Sequence, residues 1–387
     1  MEQLLFTNVV VLDCTGAEPF PGEVLIDGDR IKTVARAETP LPRDGVTVIG
    51  ETPPEEQVLQ TLRNAKLYLD HGFTSCISAG SVKPRLDLVI RNAINNGDIP
   101  GPRLLASSPW FTVTGGLGDI RLHHMDRHTL AIILDGPDEF RRAAREMIRE
   151  GVDIIKLVVS GDTGMPHAGP TDTMISEPEL AAVAEVVHAQ RRRMSAHAKS
   201  AESIKRCVRN GVKLIYHATY ADEEALDLIE AHKDRVYVSP NVGFPAVAVL
   251  EGAAWALTGE EVERMGFPHE LEASCKVIPE LHRRGVRILA GGDYGFASTP
   301  HGTNARDIEH FIKLYGFTPM EAIMSMTRWS GECMDLPDEL GQIKEGFLAN
   351  LLLVDGDPLA EPRILQDKDK LAAIMKNGEF HKQPVAA

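Results

Sequence analysis

Apolar positions along the chain switch between two periods. Residues 3–50 carry short β-like runs, LLFTNVVVLD, GEVLIDGDRIKTVA and VTVIG, separated by Gly16, Pro19 and an Asp27-Gly28-Asp29 turn, which predicts an antiparallel β unit. From Glu51 helical and strand patterns alternate. EEQVLQTLRNAKLYLDH precedes the strand FTSCISAG, VKPRLDLVIRNAINN precedes PRLLASS, and PDEFRRAAREMIREG precedes GVDIIKLVVSGD. SEPELAAVAEVVHAQRRR, with Ser176 as N-cap and Glu179 at the capping-box position, leads into RMSAHA. AESIKRCVRN leads into VKLIYHA, DEEALDLIEAH into VYVSPN, and ELEASCKVIPELHRR into VRILAGGD. Two more helices follow, NARDIEHFIKLYG and TPMEAIMSMTRWSGE, the second opened by Thr318 and Pro319. β signals then return in GQIKEGFLANLLLVDGDP and AAIMKNGEF, the latter with an Asn377-Gly378 turn.

Strict alternation predicts an α/β protein, a (β/α)8 TIM barrel over residues 51–337, with a small β domain formed by residues 1–50 and 338–387. Only seven parallel strands can be counted, and the missing one is the first, due between VTVIG and the helix near Glu55. A barrel lacking a strand has two raw edges. Either the sheet is open or rearranged, or a stretch is absent from this sequence between Gly50 and Glu51.

Composition narrows the partners. The 387 residues are 43% hydrophobic and 25% charged, ordinary for a packed globular chain. A net charge of −15 with no Lys/Arg block argues against nucleic acid or an anionic membrane as partner, leaving a small-molecule substrate. Five scattered cysteines without a CxxC read as reduced thiols of a cytoplasmic protein, and the N-terminus lacks a basic leader or a spanning segment. Apolar content around WFTVTGG and Trp255 points to a lid or to a subunit contact in a homo-oligomer.

Lys156 is the outlier, a lysine inside the apolar, β-branched run GVDIIKLVVSGD and on one face with Ile154 and Val158. An unpaired buried ammonium is costly, so Lys156 needs a carboxylate partner, a depressed pKa, or conversion to a carbamate that can bridge metal ions. His197, His217 and Asp293 also fall at strand ends, which converge in a barrel. Singly each has a plain reading as a hydrogen-bonded core residue or turn former. Together with Lys156 they form a mixed N/O set suited to zinc or a similar divalent ion. Such an ion lowers the pKa of bound water towards about 7 and polarises a carbonyl, leaving the aspartate to shuttle protons.

This order of residues resembles the amidohydrolase superfamily, and the likeness runs nearly the whole chain. Its echoes are GFTSCISAG, GPRLLAS, GVDIIKLVVSG, SAHAKSAESI, LIYHATYADEEAL, LAGGDYG, PHGTN and GQIKEGFLANLLLVDGDP. The branch most resembled holds imidazolonepropionase-like proteins, prolidases and carnosinases, with phenylurea and thiocarbamate hydrolases further out. The resemblance implies a carboxylated Lys156 bridging two metals, zinc first among candidates that include Co, Mn and Fe. It implies His197 and His217 as ligands of the more exposed ion. Asp293 would ligate the buried ion and act as catalytic acid/base. The two chain ends would form a composite β-sandwich.

Two departures matter. The family's strand 1 carries an HxH that binds the buried metal, and this sequence has none. Its place is the Gly50–Glu51 junction where the strand count fails, so a segment of roughly 20 to 35 residues, a strand with its loop, is inferred to be omitted there. Peptidase members also carry TGGHG where this chain has TGGLG, with Leu117, and often a tyrosine where this chain has Lys199. Lys199 is either a point charge for the substrate or a solvated loop residue. Tyr220 is either a ligand of the substrate carbonyl or a core tyrosine. Leu117, Trp110, Phe111, Phe244 and Trp255 are either apolar walls of the site or ordinary loop packing. His123 and His124 read as exposed loop residues, and His301 as a hydrogen-bonded one.

The expected function is metal-dependent hydrolysis of the C–N bond of an amide, urea or carbamate-type small molecule by a metal-activated hydroxide. The alternatives are a dipeptidase of the prolidase/carnosinase type, a phosphate-binding barrel enzyme using Gly291, Gly292 and Gly295, and a non-catalytic barrel.

Overall fold

Short runs rich in Val, Ile and Leu near the N-terminus form β1 (Gln3–Val11), β2 (Phe20–Asp27) and β3 (Arg30–Arg36), an antiparallel sheet of order β1-β2-β3. The computed structural model describes the backbone of residues 3–11, 20–27 and 30–36, and then residues 52–124, 128–165, 167–252, 258–296 and 298–384. VTVIG and Trp255 lie outside these. The chain divides into two units, Met1–Asp44 and Gly45–Ala387.

In the larger unit α1 (Pro54–Asp70) leads to β4 (Ser75–Ile77), and α2 (Leu86–Asn96) to β5 (Arg103–Leu105) and β6 (Ser107–Thr112). After β7 (Ala131–Ile133), α3 (Pro137–Glu150) leads to β8 (Ile154–Val158) and α4 (Glu177–Ala189) to β9 (Arg193–Ser200). Then α5 (Ala201–Arg209) leads to β10 (Leu214–Tyr220), and α6 (Glu223–Ala231) to β11 (Tyr237–Ser239). Helices α7 (Gly243–Glu251), α8 (Gly259–Met265) and α9 (Phe267–Arg283) precede β12 (Arg287–Ile288). Finally α10 (Arg306–Tyr315), α11 (Pro319–Met326) and α12 (Arg328–Cys333) lead to the antiparallel β13 (Leu351–Val354), β14 (Leu371–Lys376) and β15 (Glu379–Lys382).

The parallel strands run β12-β11-β10-β9-β8-β6-β7, with β4 paired to β5. β5 and β6 are one run broken at Ala106, the first part pairing with β4 and the second with β7 and β8. All seven strands expected from the sequence are present. The short β7, from AIILD, escaped the sequence reading because three residues give no usable period. Local chemistry sets the boundaries as expected. Glu179 accepts the Ser176 backbone N–H at 2.8 Å, Thr318 caps α11, and Asn377 and Gly378 take φ of 52° and 83° in the β14–β15 turn.

Strand alternation divides the interior in two. Ile155, Leu157, Met194, Ala196 and Ile215 point outward into the main core beneath the helices. Leu214, Tyr216, Tyr237 and Leu289 point inward and pack with Cys333. Among the described residues no helix is long and apolar enough to cross a membrane.

Candidate active site

Lys156 keeps only 3% of its surface exposed on the inward face of β8. Its Nζ lies 3.8 Å from the centroid of the Tyr216 ring, and no carboxylate of the described residues stands within ion-pair distance of it. An aromatic face offsets only part of what water would give an ammonium. Burial therefore pulls the amine down to about 7, against the partial opposition of Asp293. Of the three escapes open to this lysine, the carboxylate pair is not the one taken. Gly80 makes room here, since a Cβ on it would fall 2.2 Å from the Trp110 indole nitrogen.

His197 sits on β9 opposite Val158 and Tyr216. Its Nε2 meets the Gly161 carbonyl oxygen at 2.9 Å. A carbonyl can only accept, so the imidazole proton is on Nε2 and the Nδ1 lone pair is left over. Burial lowers His197 to about 4. By simple alternation His217, next to Tyr216, would point at the helices. Instead the ladder slips between His217 and Tyr220, and His217 and Ala218 take φ of 74° and 54°. This bulge turns the imidazole inward, to 4.5 Å between ring centroids from His197. Burial keeps His217 neutral, well below its usual pKa.

Asp293 follows β12 with φ of 56°, and Asn241 follows β11 with φ of 54°. Such conformations are rare for residues other than glycine and gather at functional sites. Asn241 hydrogen-bonds the Asp293 carboxylate and receives the Ser239 hydroxyl at 2.9 Å. Although the Asp293 side chain is 32% exposed, desolvation by its surroundings and then the charge of Asp162 push it up to about 6.

His217 Nε2 and Asp293 Oδ2 face each other at 3.8 Å, beyond hydrogen-bond reach. That is close to the roughly 3.4 Å between two atoms sharing a tetrahedral zinc ion. Among the described residues no three His, Cys, Asp or Glu side chains approach closely enough to hold a metal by themselves, so Lys156 must count as a donor for the set to fit. Two imidazoles and one carboxylate, with Lys156 as a fourth donor were it a carbamate, make a donor set of the kind that suits a zinc-type ion chemically.

Lys199 requires a correction. It is 3% exposed, not a solvated loop residue, and its ammonium binds both Asp162 and Glu270, the latter at 2.5 Å. Burial alone would lower its pKa, but the two carboxylates outweigh it and hold the charge in place above the ordinary lysine value. Two anions claim this one cation, so it is not a free point charge for a substrate. Tyr220 ends β10 stacked on His269, ring centroids 5.7 Å apart. Leu117 is 8% exposed in the loop between β6 and β7. Phe111 packs edge-on to Phe140 beneath the helices and lines no site. Phe244 packs on Phe267 and Phe296. His123 and His124 are exposed, and His301 Nδ1 bonds the Tyr68 hydroxyl at 2.9 Å.

The glycines after β12 have structural duties. The Gly291 N–H donates to Asp307 at 2.8 Å and the Gly295 N–H to the Thr299 carbonyl at 2.7 Å, while a Cβ on Gly292 would fall 1.7 Å from Asn241 Oδ1. Two of the donors a phosphate cradle would need are thus engaged. Asp162, Asn241, Glu270 and Asp307 were not singled out from the sequence. Asn241 was within reach, being a polar residue just after a parallel strand as Asp293 is.

The parallel sheet and a site carried on its strands define a (β/α)8-barrel protein. The chain belongs to the amidohydrolase family, whose profile matches residues 29–380. It is 28% identical over 321 residues to ochratoxinase from Aspergillus niger, covering 76% of this chain and 63% of that protein. The chain thus spans less than two thirds of that relative's length. A prolidase solved with N-methylphosphonate-L-proline has the same fold, with TM-score 0.78, 24% identity and coverage of 99% of this chain and 100% of that one. Phenylurea hydrolase B follows it more loosely, with TM-score 0.63, 18% identity and coverage of 98% and 96%.

Proposed function

We propose that this protein hydrolyses the C–N bond of an amide, urea or carbamate-type small molecule with the help of a divalent metal. The observation that carries the reading is Lys156, a buried amine lowered to about 7 beside two neutral imidazoles and a carboxylate. In this reading Lys156 is carboxylated, and its carbamate holds the metal with His197, His217 and Asp293. When bound, the ion supplies Lewis acidity, making water more acidic and drawing electron density from the carbonyl. A second ion would need ligands that this sequence lacks between Gly50 and Glu51.

The chain's own groups carry the protons. Asp293, at about 6, is ionised at neutral pH yet basic enough to take a proton from the attacking water. The water oxygen bonds to the carbonyl carbon, Asp293 passes that proton to the leaving nitrogen, and the C–N bond breaks to an amine and an acid. Asn241 holds the carboxylate while it does so. Tyr220 stands at the end of β10 to steer the carbonyl, and Leu117 supplies an apolar contact.

The similarity to a prolidase favours a dipeptidase as the second reading. Against it stand Leu117, which offers no hydrogen bond, and Lys199, whose charge Asp162 and Glu270 already hold. Zinc-loaded protein assayed on aryl amides and phenylureas, in parallel with Xaa-Pro dipeptides and their C-terminal amides, separates them. The proposal expects turnover of substrates without a carboxylate. Turnover of free-carboxylate dipeptides alone would transfer the assignment to the dipeptidase, and failure to bind zinc or turn over anything would leave a non-catalytic barrel.

A further inference from the structure

Asp307 lies on α10, outside the set of groups so far given a role, and has no exposed surface. A carboxylate taken out of water needs several donors to remain in place. Asp307 has three, the Gly291 N–H at 2.8 Å, the Tyr294 hydroxyl at 2.8 Å and His310 Nδ1 at 3.1 Å. Gly291 and Tyr294 flank Asp293, so one carboxylate grips the chain on both sides of it. Between the grips Asp293 takes its left-handed φ, a strained conformation for such a residue. Strain of that kind persists only where the surroundings over-determine it. Thr299, donating to the Asp293 carbonyl at 2.8 Å, adds a third restraint. Gly243 closes the grip from α7, where a Cβ would stand 2.8 Å from the Tyr294 hydroxyl and 3.0 Å from Asp307 Oδ1.

We propose that Asp307 is a positioning residue whose grip on Gly291 and Tyr294 holds Asp293 in its left-handed conformation, with its carboxylate facing His217. The inference deepens the metal-site reading and rests on it for its consequence, though not for the backbone geometry. A change at Asp307 or Tyr294 releases the strained residue, and the Asp293 carboxylate swings off the point it shares with His217. Lost outer supports of metal ligands typically weaken binding about 10- to 100-fold.

The test uses Tyr294→Phe, which removes one bond and keeps the ring, and Asp307→Asn, which removes the charge. Titration with zinc alone, the visible spectrum of the cobalt-substituted protein and the melting temperature are read for parent and variants. The proposal expects zinc affinity to fall about tenfold in Asp307→Asn and by a smaller factor in Tyr294→Phe, each with a changed cobalt spectrum. Parent-like zinc affinity and spectrum in both, with only a lower melting temperature, would reduce Asp307 to a core carboxylate and overturn it. If the parent itself binds no zinc, the metal-site reading falls, and a crystal structure of Asp307→Asn decides the positioning claim. A negative φ at residue 293 upholds it, and retention of a φ near 56° overturns it.

Discussion

At pH 7 a lysine with its usual pKa is a free amine in only about one molecule in 2,500. With Lys156 lowered to about 7, roughly half the molecules present the neutral nitrogen that can add to carbon dioxide. The same shift makes a stability prediction for the metal-free protein. Between about 7 and the ordinary lysine value the unfolded chain binds a proton that the folded chain does not, so stability rises with pH across that window. Buried thiols such as Cys207, raised by burial, act in the opposite sense in the upper part of that window, so the rise should appear in the difference in stability between the parent and Lys156→Met under chemical denaturation at successive pH values. His197 and His217, both lowered, act below neutrality, where folding stability should fall as pH drops from the usual histidine value towards about 4. Asp293, raised to about 6, partly offsets them with the opposite sign, so His197→Gln is the variant that isolates the histidine part. Lys156→Ala should lose zinc retention and activity together, with a short carboxylic acid partly restoring both. Full activity in that variant would remove the carbamate from the account.

At the scale of the element, β8 to β12 set the chemistry. Regular alternation of helix and strand periods let the sequence assign Lys156, His197 and His217 to parallel strands and Asp293 to the segment after one, but the three strand residues lie within β8, β9 and β10 and not at their ends. The sequence did not reveal how His217 turns inward, since a bulge depends on ladder pairing that no local pattern encodes. Nor did it reveal the fate of Lys199, whose partners Asp162 and Glu270 lie 37 and 71 residues away. That trio ties the β8 loop and α9 to β9. Lys199→Ala would leave Glu270, whose side chain is 4% exposed, unpaired in the interior, with an expected loss of roughly 3–5 kcal/mol in urea unfolding. Adding Glu270→Gln should recover part of that loss, and strict additivity of the two changes would contradict the pairing. Gly292→Ala is expected to displace Asn241 and impair activity, because its Cβ would collide with the amide oxygen.

At the scale of the whole molecule, β12 and β7 are the edges of the seven-stranded parallel sheet among the described residues, and β4 pairs with β5 in a sheet of two. A native protein carrying an additional strand between Gly50 and Glu51 would have an intact mass well above 42.4 kDa, and agreement with that value would show that the chain has no such segment. The central claim concerns Lys156. Zinc-loaded protein equilibrated with carbon-13 bicarbonate should give one carbamate resonance that disappears in Lys156→Ala. Stoichiometric zinc in the parent with no such resonance would show that the lysine remains an amine, and the site as argued would not exist.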